Sequence, residues 1–355
     1  MNQHNARPLT LYDLIARRWD TGAPVAALRF GATTAAFAGA DGALRIAAAP
    51  DAEPPDSRVR VTGDLGQITL RPRSQDPAPL MALTGLADTA PPVAAAGGDF
   101  LVGAADGRVL RITPDGEALT LLDLSGPVRA LDHAGGVTAA ADAETLALQG
   151  EAIRRLPRPG VVALAVAPGG VEIAAAGADD LRLIGAATER RLALSGVLAL
   201  AWRGDGRWLA AALGSEGAAL VGPALAPVRL GGFPAPVRSL DWSGPGRAFV
   251  AAGAFRIAAW DAAALPATDR PLVTGQPGLV AVEAVAAHPA RPLVAAGYAN
   301  GQVTIAQAGA RDELLLRHEG APVTCLAFSP DGRHLAIGDA GGEAAIATFP
   351  SQMFK

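Results

Sequence analysis

Residues Ala321–Ile337 read APVTCLAFSPDGRHLAI, and weakened copies of this string recur along almost the whole chain. A pattern that returns every few tens of residues means stacked copies of one small unit, which constrains the fold more than any single motif. Each copy is an apolar run, a Gly/Pro/Asp turn, a second apolar run ending near Gly, and often a third run. That is a meander of short strands joined by tight turns. One such unit cannot bury both of its faces, so it must pack against neighbours.

The copies align residue by residue. Val323, Leu326 and Phe328 correspond to Val282, Val285 and Ala287, then to Val237, Leu240 and Trp242. Further back come Val197, Leu200 and Trp202, then Val161, Leu164 and Val166, then Val128, Leu131 and His133. Val93 and the trio Val25, Leu28 and Phe30 complete a set of eight. Successive valines lie 33–45 residues apart, except that 68 residues separate Val25 from Val93. Four strands of about 5–6 residues with loops of about 2–5 residues fill the common spacing. The long one needs an insertion or a decayed extra copy.

Turn chemistry recurs at matching phases. After the first strand come Pro330-Asp331-Gly332, Gly204-Asp205-Gly206, Gly244-Pro245-Gly246, Pro168-Gly169-Gly170 and His288-Pro289-Ala290-Arg291. Between the next two strands come Asp41-Gly42, Asp106-Gly107, Asn300-Gly301 and Gly341-Gly342. Asp-Gly and Asn-Gly accept the positive φ angles that two-residue hairpins of the right twist require.

With these residues in view the chain resembles the WD40-repeat β-propellers, in a divergent, bacterial-type form, over roughly Thr10 to Phe349. The run Leu326–Gly332, LAFSPDG, is a common string of that family. The family's Trp-Asp pair is in register only at Trp260-Asp261, after the strand Phe255–Ala259; Trp19-Asp20 is out of phase. The family's His–Ser/Thr–Asp–Trp tetrad is mostly missing, with His318 a displaced remnant of its Gly-His element. Packing of Ala, Val and Leu is expected to replace that polar network.

The resemblance implies an all-β, WD40-like β-propeller occupying 1–355 as a single domain, and the eight copies give eight blades, with seven the alternative. A doubly wound α/β fold would need helices of about 10–15 residues between strands. The 42 Gly and 28 Pro instead break the intervals into short runs. The C-terminus stops after a third strand, Glu343–Phe349. An N-terminal strand completing the last blade would cover its open edge. Within the N-terminal segment 1–22, Leu11–Arg18 is placed to be that strand. Leu11, Leu14 and Ile15 also sit at helical spacing, so an amphipathic helix is the alternative.

The long first interval holds an insertion over 49–79. Its Pro/Asp/Glu-rich start, Ala49–Ser57, reads as a surface connection. Arg58–Thr62 and Gln67–Arg71 read as two strands joined by residues 63–66. Arg58, Arg60, Arg71 and Arg73 decorate this hairpin, and alternation would place Arg58 and Arg60 on one face. A basic arm gripping an acidic partner is the functional reading. Arginines guarding a solvated edge against aggregation are the plain structural one.

Charge and motif searches narrow the chemistry. Thirty basic and thirty-four acidic residues give net −4, and no basic face offers the counterion release that nucleic-acid binding needs. No stretch approaches about 18 uninterrupted apolar residues, so no membrane insertion is expected. The N-terminus lacks a signal-peptide pattern, and a cytoplasmic location follows as an expectation. The lone Cys325 reads as a buried structural thiol in an inner strand. The histidines, His4, His133, His288, His318 and His334, form no metal-ligand cluster such as HExxH. His133 reads as a satisfied structural histidine. Neither a GxSxG elbow nor a phosphate-binding P-loop is present. No catalytic residue, metal or cofactor is therefore assigned.

Two classes of function stand. Resemblance to the WD40 family implies a non-catalytic scaffold that holds another protein or peptide on one rim. Its candidate contacts, each directly after an aligned valine, are Arg129, Arg238 and Thr324. The other class is a propeller enzyme, such as a lactonase-like hydrolase with a site at the central channel. Quinone-dependent propeller enzymes would carry a Trp-docking repeat and an export signal that are not seen.

Overall fold

The computed structural model describes residues 9–62, 67–89, 91–245, 247–266 and 270–353. The joining residues 63–66, His4 and Gly246 lie outside them. Eight four-stranded antiparallel sheets form the ring. Their inner strands, blades 1 to 8, are Val25–Phe30, Val93–Ala96, Ala130–Ala134, Ala163–Val166, Ala199–Trp202, Leu240–Ser243, Val282–Ala287 and Val323–Phe328. Each inner strand packs on those of the neighbouring blades, so all eight surround one central channel. No helix among the described residues is long and apolar enough to cross a membrane.

The sequence pattern explains the packing. Second and third strands are built largely from Ala, Val, Ile and Leu and are buried on both faces, as in Ile173–Ala176, Leu209–Ala212 and Ala248–Ala251. Buried apolar residues gather into eight clusters, one at each blade-to-blade interface. Alanine lets the sheets approach closely, and the ring needs no single large core because each pair of blades supplies its own.

The aligned valines have a defined seat. Val128, Val323 and Val25 lie against Gly103, Gly297 and Gly338, at the ends of the preceding blades' second strands. A Cβ on Gly297 would fall 2.3 Å from Val323 Cγ1, so glycine is needed for the close approach. Val93 departs from this register. It pairs with Val102 as Leu326 pairs with Ile337, so it occupies the leucine's place, three residues on from the valine's.

Closure follows the expected topology with a correction to its limits. Ala16–Asp20, rather than Leu11–Arg18, is the outer strand of blade 8, antiparallel to Glu343–Thr348. Leu11–Ile15 is a single helical turn, begun by a reciprocal cap between Thr10 and Asp13. Both readings of the segment thus apply, to consecutive pieces of it. Tyr12 and Ile15 from the turn are buried in the blade 7–8 cluster. Trp19-Asp20 ends the closing strand, whereas Trp260-Asp261 ends the third strand of blade 6.

The insertion sits between the third strand of blade 1, Leu44–Ala48, and its outer strand, Met81–Leu83. It contains a short helix, Pro55–Arg58, and a separate two-stranded hairpin, Val59–Thr62 with Gln67–Leu70. Arg58 therefore ends a helical turn instead of opening a strand. The expected common face of Arg58 and Arg60 does not form: Arg58 is 5% exposed and turned inward, while Arg60 is exposed.

Candidate functional site

Antiparallel meanders put the second-to-third strand turns and the blade-to-blade connections at the same end of every sheet. The aligned valines open the inner strands at that end, so the residue after each valine borders the channel mouth there. In blades 3 to 6 these residues are Arg129, Val162, Leu198 and Arg238. Arg129 and Arg238 are exposed, with no side-chain hydrogen bond or ion pair among the described residues. Val162 and Leu198 are 55% and 54% exposed. Leu279, 94% exposed, and Phe255, 42% exposed, lie on loops of the same rim. Two free cations thus bracket two exposed apolar side chains on adjacent blades. Thr324 is differently employed: its hydroxyl lies 2.5 Å from Val25 O and 3.0 Å from Gly338 O, stitching blade 8 to blade 1.

Deeper in the channel, the fourth residue after the valine supplies a second ring. It holds Arg29, Asp132 and Asp241 from blades 1, 3 and 6, with alanines 165, 201, 286 and 327 at matching positions. Arg29 acts electrostatically on both carboxylates and on Cys325, so side chains from four blades converge on the axis. Burial raises the pKa of Asp132 and Asp241, opposed by backbone hydrogen bonds. Asp132 Oδ2 accepts Val166 N–H at 2.7 Å, and Asp241 Oδ2 accepts Ala287 N–H at 2.8 Å. Trp202 and Trp242 donate their indole N–H groups to Ala165 O and Ala201 O, in the same register. These bonds tie neighbouring inner strands together. Burial pushes the Cys325 thiol up to about 11, leaving it protonated and unreactive at neutral pH.

The four arginines of the insertion divide into two pairs. Arg58 donates to Glu53 O, Arg71 O and Leu14 O at 3.0, 2.6 and 2.7 Å. Arg73 makes a bidentate pair with Asp51 at 2.7 and 2.5 Å. Both hold the insertion together, and Arg58 also anchors it to the N-terminal helical turn. From the closing strand, Arg17 reaches back to Ala49 O and Pro50 O. Arg60 and Arg71 are exposed, with no side-chain partner among the described residues.

Polar groups absent from the sequence reading also brace the ring. Arg317, at the end of blade 7's outer strand, and not His318, takes the network position: it donates to Asp339 of blade 8 at 2.6 Å, and both side chains are buried. Tyr12 OH donates to Glu343 at 2.7 Å beside it. In blade 3, Asp142 accepts the backbone N–H groups of Ser125, Gly126, Glu144 and Thr145. Packing is therefore supplemented by aspartates at the second-to-third strand turns. Their side chains find backbone amides or an arginine where the family uses histidine. His133 bonds Thr138 Oγ1 at 2.9 Å, the structural role expected of it. The rim leucine and valine could have been found in the sequence, because they share the register of Arg129 and Arg238.

Comparison with known proteins agrees with this geometry. The family model described as WD domain, G-beta repeat matches residues 313–344. No curated protein sequence matches. The computationally designed Ika8 protein is 18% identical, with TM-score 0.66 over 95% of this chain and 100% of that one. The C-terminal WD40 domain of Sif2 is 10% identical, with TM-score 0.63 over 95% and 99%. The Myceliophteria thermophila Cps50 (Swd1) β-propeller domain is 17% identical, with TM-score 0.52 over 71% and 94%. Eight closed blades, with the matched repeat running from the outer strand of blade 7 into blade 8, give this chain the fold of a WD40-type β-propeller.

Proposed function

We propose that the protein is a non-catalytic scaffold that binds another protein or peptide on the rim where the aligned valines begin. One observation carries the reading: at a single repeat position in four consecutive blades, Arg129, Val162, Leu198 and Arg238 are all exposed. An apolar centre bordered by polar groups is the anatomy of a protein interface, and arginine is enriched among the residues that dominate binding energy. The free arginines favour a partner with acidic groups flanking a small apolar segment. A lone thiol with no disulfide partner suits a reducing, cytoplasmic setting.

A hydrolase site at the channel is the competing reading, favoured by the convergence of Arg29, Asp132 and Asp241. Both carboxylates already accept backbone N–H groups from the next blade, which supports a structural role for them. The test is affinity capture from the host with the wild type and with R129E/R238E, identifying what co-purifies. A partner retained by the wild type and lost by the rim variant supports the scaffold. Equal retention by both would refute this rim as the contact surface.

A further inference from the structure

The insertion hairpin offers a binding surface of another kind, on the outer side of the ring. Arg71 N–H bonds Arg58 O at 3.1 Å. Bonded pairs alternate along an antiparallel ladder, so Arg60–Thr69 is also a bonded pair. Val59–Leu70 and Val61–Ile68 then direct their N–H and C=O groups outward. Val59 N–H is occupied, bonding Pro55 O. The Gln67–Leu70 edge, through Ile68 and Leu70, thus keeps both donors and acceptors free, and among the described residues it pairs with no other strand. A two-stranded hairpin is marginal by itself and gains from a third strand.

The two faces of the hairpin differ in chemistry. Val59 and Leu70 line a cleft of about 530 Å³, with Leu11 and Met353 among its other walls. That volume lies within the range of about 300–1,000 Å³ found for ligand pockets. Alternation puts Arg60, Thr69 and Arg71 on the opposite face, where both guanidinium groups are free.

We propose that an extended segment of a partner protein adds to Gln67–Leu70 as a third strand, with acidic and apolar side chains alternating along it. Its backbone pairs with Ile68 and Leu70. Its apolar side chains enter the cleft beside Leu70, and its carboxylates meet Arg60 and Arg71 across the pleat. Strand addition gives affinity through the main chain and selectivity through alternate side chains. A second copy of this chain fits less well, because self-pairing along this edge would set arginines against arginines. The surface is independent of the rim.

The probe is a fluorescein-labelled nonapeptide of alternating glutamate and leucine, read by fluorescence anisotropy against the full chain. It is expected to bind, and R60E/R71E, both exposed positions, should weaken binding by at least about tenfold. A thermal melt confirms that the variant is folded, and R129E/R238E should bind the peptide like the wild type. Methylating alternate peptide nitrogens should abolish binding. Three results would overturn the proposal: no binding of the peptide, equal binding of a peptide with its glutamates and leucines in two blocks, or no effect of R60E/R71E. A wild-type dimer in sedimentation, dissociated by Leu70→Glu, would also overturn it in favour of self-association.

Discussion

At the scale of the residue, stability rests on a few positions where a small or buried group admits no substitute. A Cβ on Gly338 would lie 2.6 Å from both Val25 Cγ1 and Cys325 Sγ. Gly338→Ala should therefore destabilise by about 1–3 kcal/mol through overpacking. Denaturant melts should show part of that loss recovered in Gly338→Ala/Val25→Ala, since the two side chains share one space. Arg317→Met should cost about 3–5 kcal/mol, because it strands the buried Asp339 carboxylate without its cation. The histidines give the protein a pH dependence. Burial lowers the pKa of His133, His288 and His334. His288 Nδ1 accepts N–H groups from Ala290 and Arg291, so its proton sits on Nε2 and points to Gly332 O. A depressed folded-state pKa means that the unfolded chain takes up the proton first. Their contribution is present above the ordinary histidine value of about 6.5 and is lost as pH falls below it. Melting temperature should drop between neutrality and mildly acid pH, and drop less in His334→Gln.

At the scale of the element, the repeat made most strands legible, because each carried an apolar run bounded by turn residues at a fixed phase. The closing segment was harder. Leu11, Leu14 and Ile15 fit a helix, while the topology demanded a strand; the chain satisfies both by changing from one to the other at Ala16. Val93 was misaligned because blade 2 begins without a valine in the usual seat, and apolar pattern alone does not separate the two registers. The insertion strands were found nearly to the residue, but the fate of their arginines was not. Nothing in the spacing told that Arg58 would collect three carbonyls or Arg73 an aspartate. The rim position was half-legible: Arg129 and Arg238 stand out by charge, whereas nothing in an apolar residue of a strand-like run marks Val162 and Leu198 between them as exposed. Stability measurements can check the division of the arginines. Arg58→Ala should cost at least about 1.5–3 kcal/mol in lost charge-assisted bonds. Arg60→Ala should change stability by no more than about 0.5 kcal/mol, as expected of an exposed residue without partners.

At the scale of the whole molecule, the inner strands among the described residues pack on those of neighbouring blades, and the ring is held by eight similar interfaces of which one also joins the two ends of the chain. Bonds between inner strands, from Asp132, Asp241, Trp202, Trp242 and Thr324, repeat around the channel and keep the rim residues in fixed relation. On the proposed reading, a ring braced in this way presents contacts from several blades at once. It depends on closure, since an open last blade would free two sheet edges. Thr21 N–H bonds Gly342 O, and alternation then makes Ala16 and Ala347 a directly opposed, non-bonded pair. Such pairs stand about 4.5 Å apart, within disulfide reach. The most direct test is therefore thiol titration and melting of Ala16→Cys/Ala347→Cys in a Cys325→Ala background under mild oxidation. The account predicts complete loss of free thiol, in the monomer, with a higher melting temperature than the reduced form. Two thiols that stay free and freely modified would contradict it.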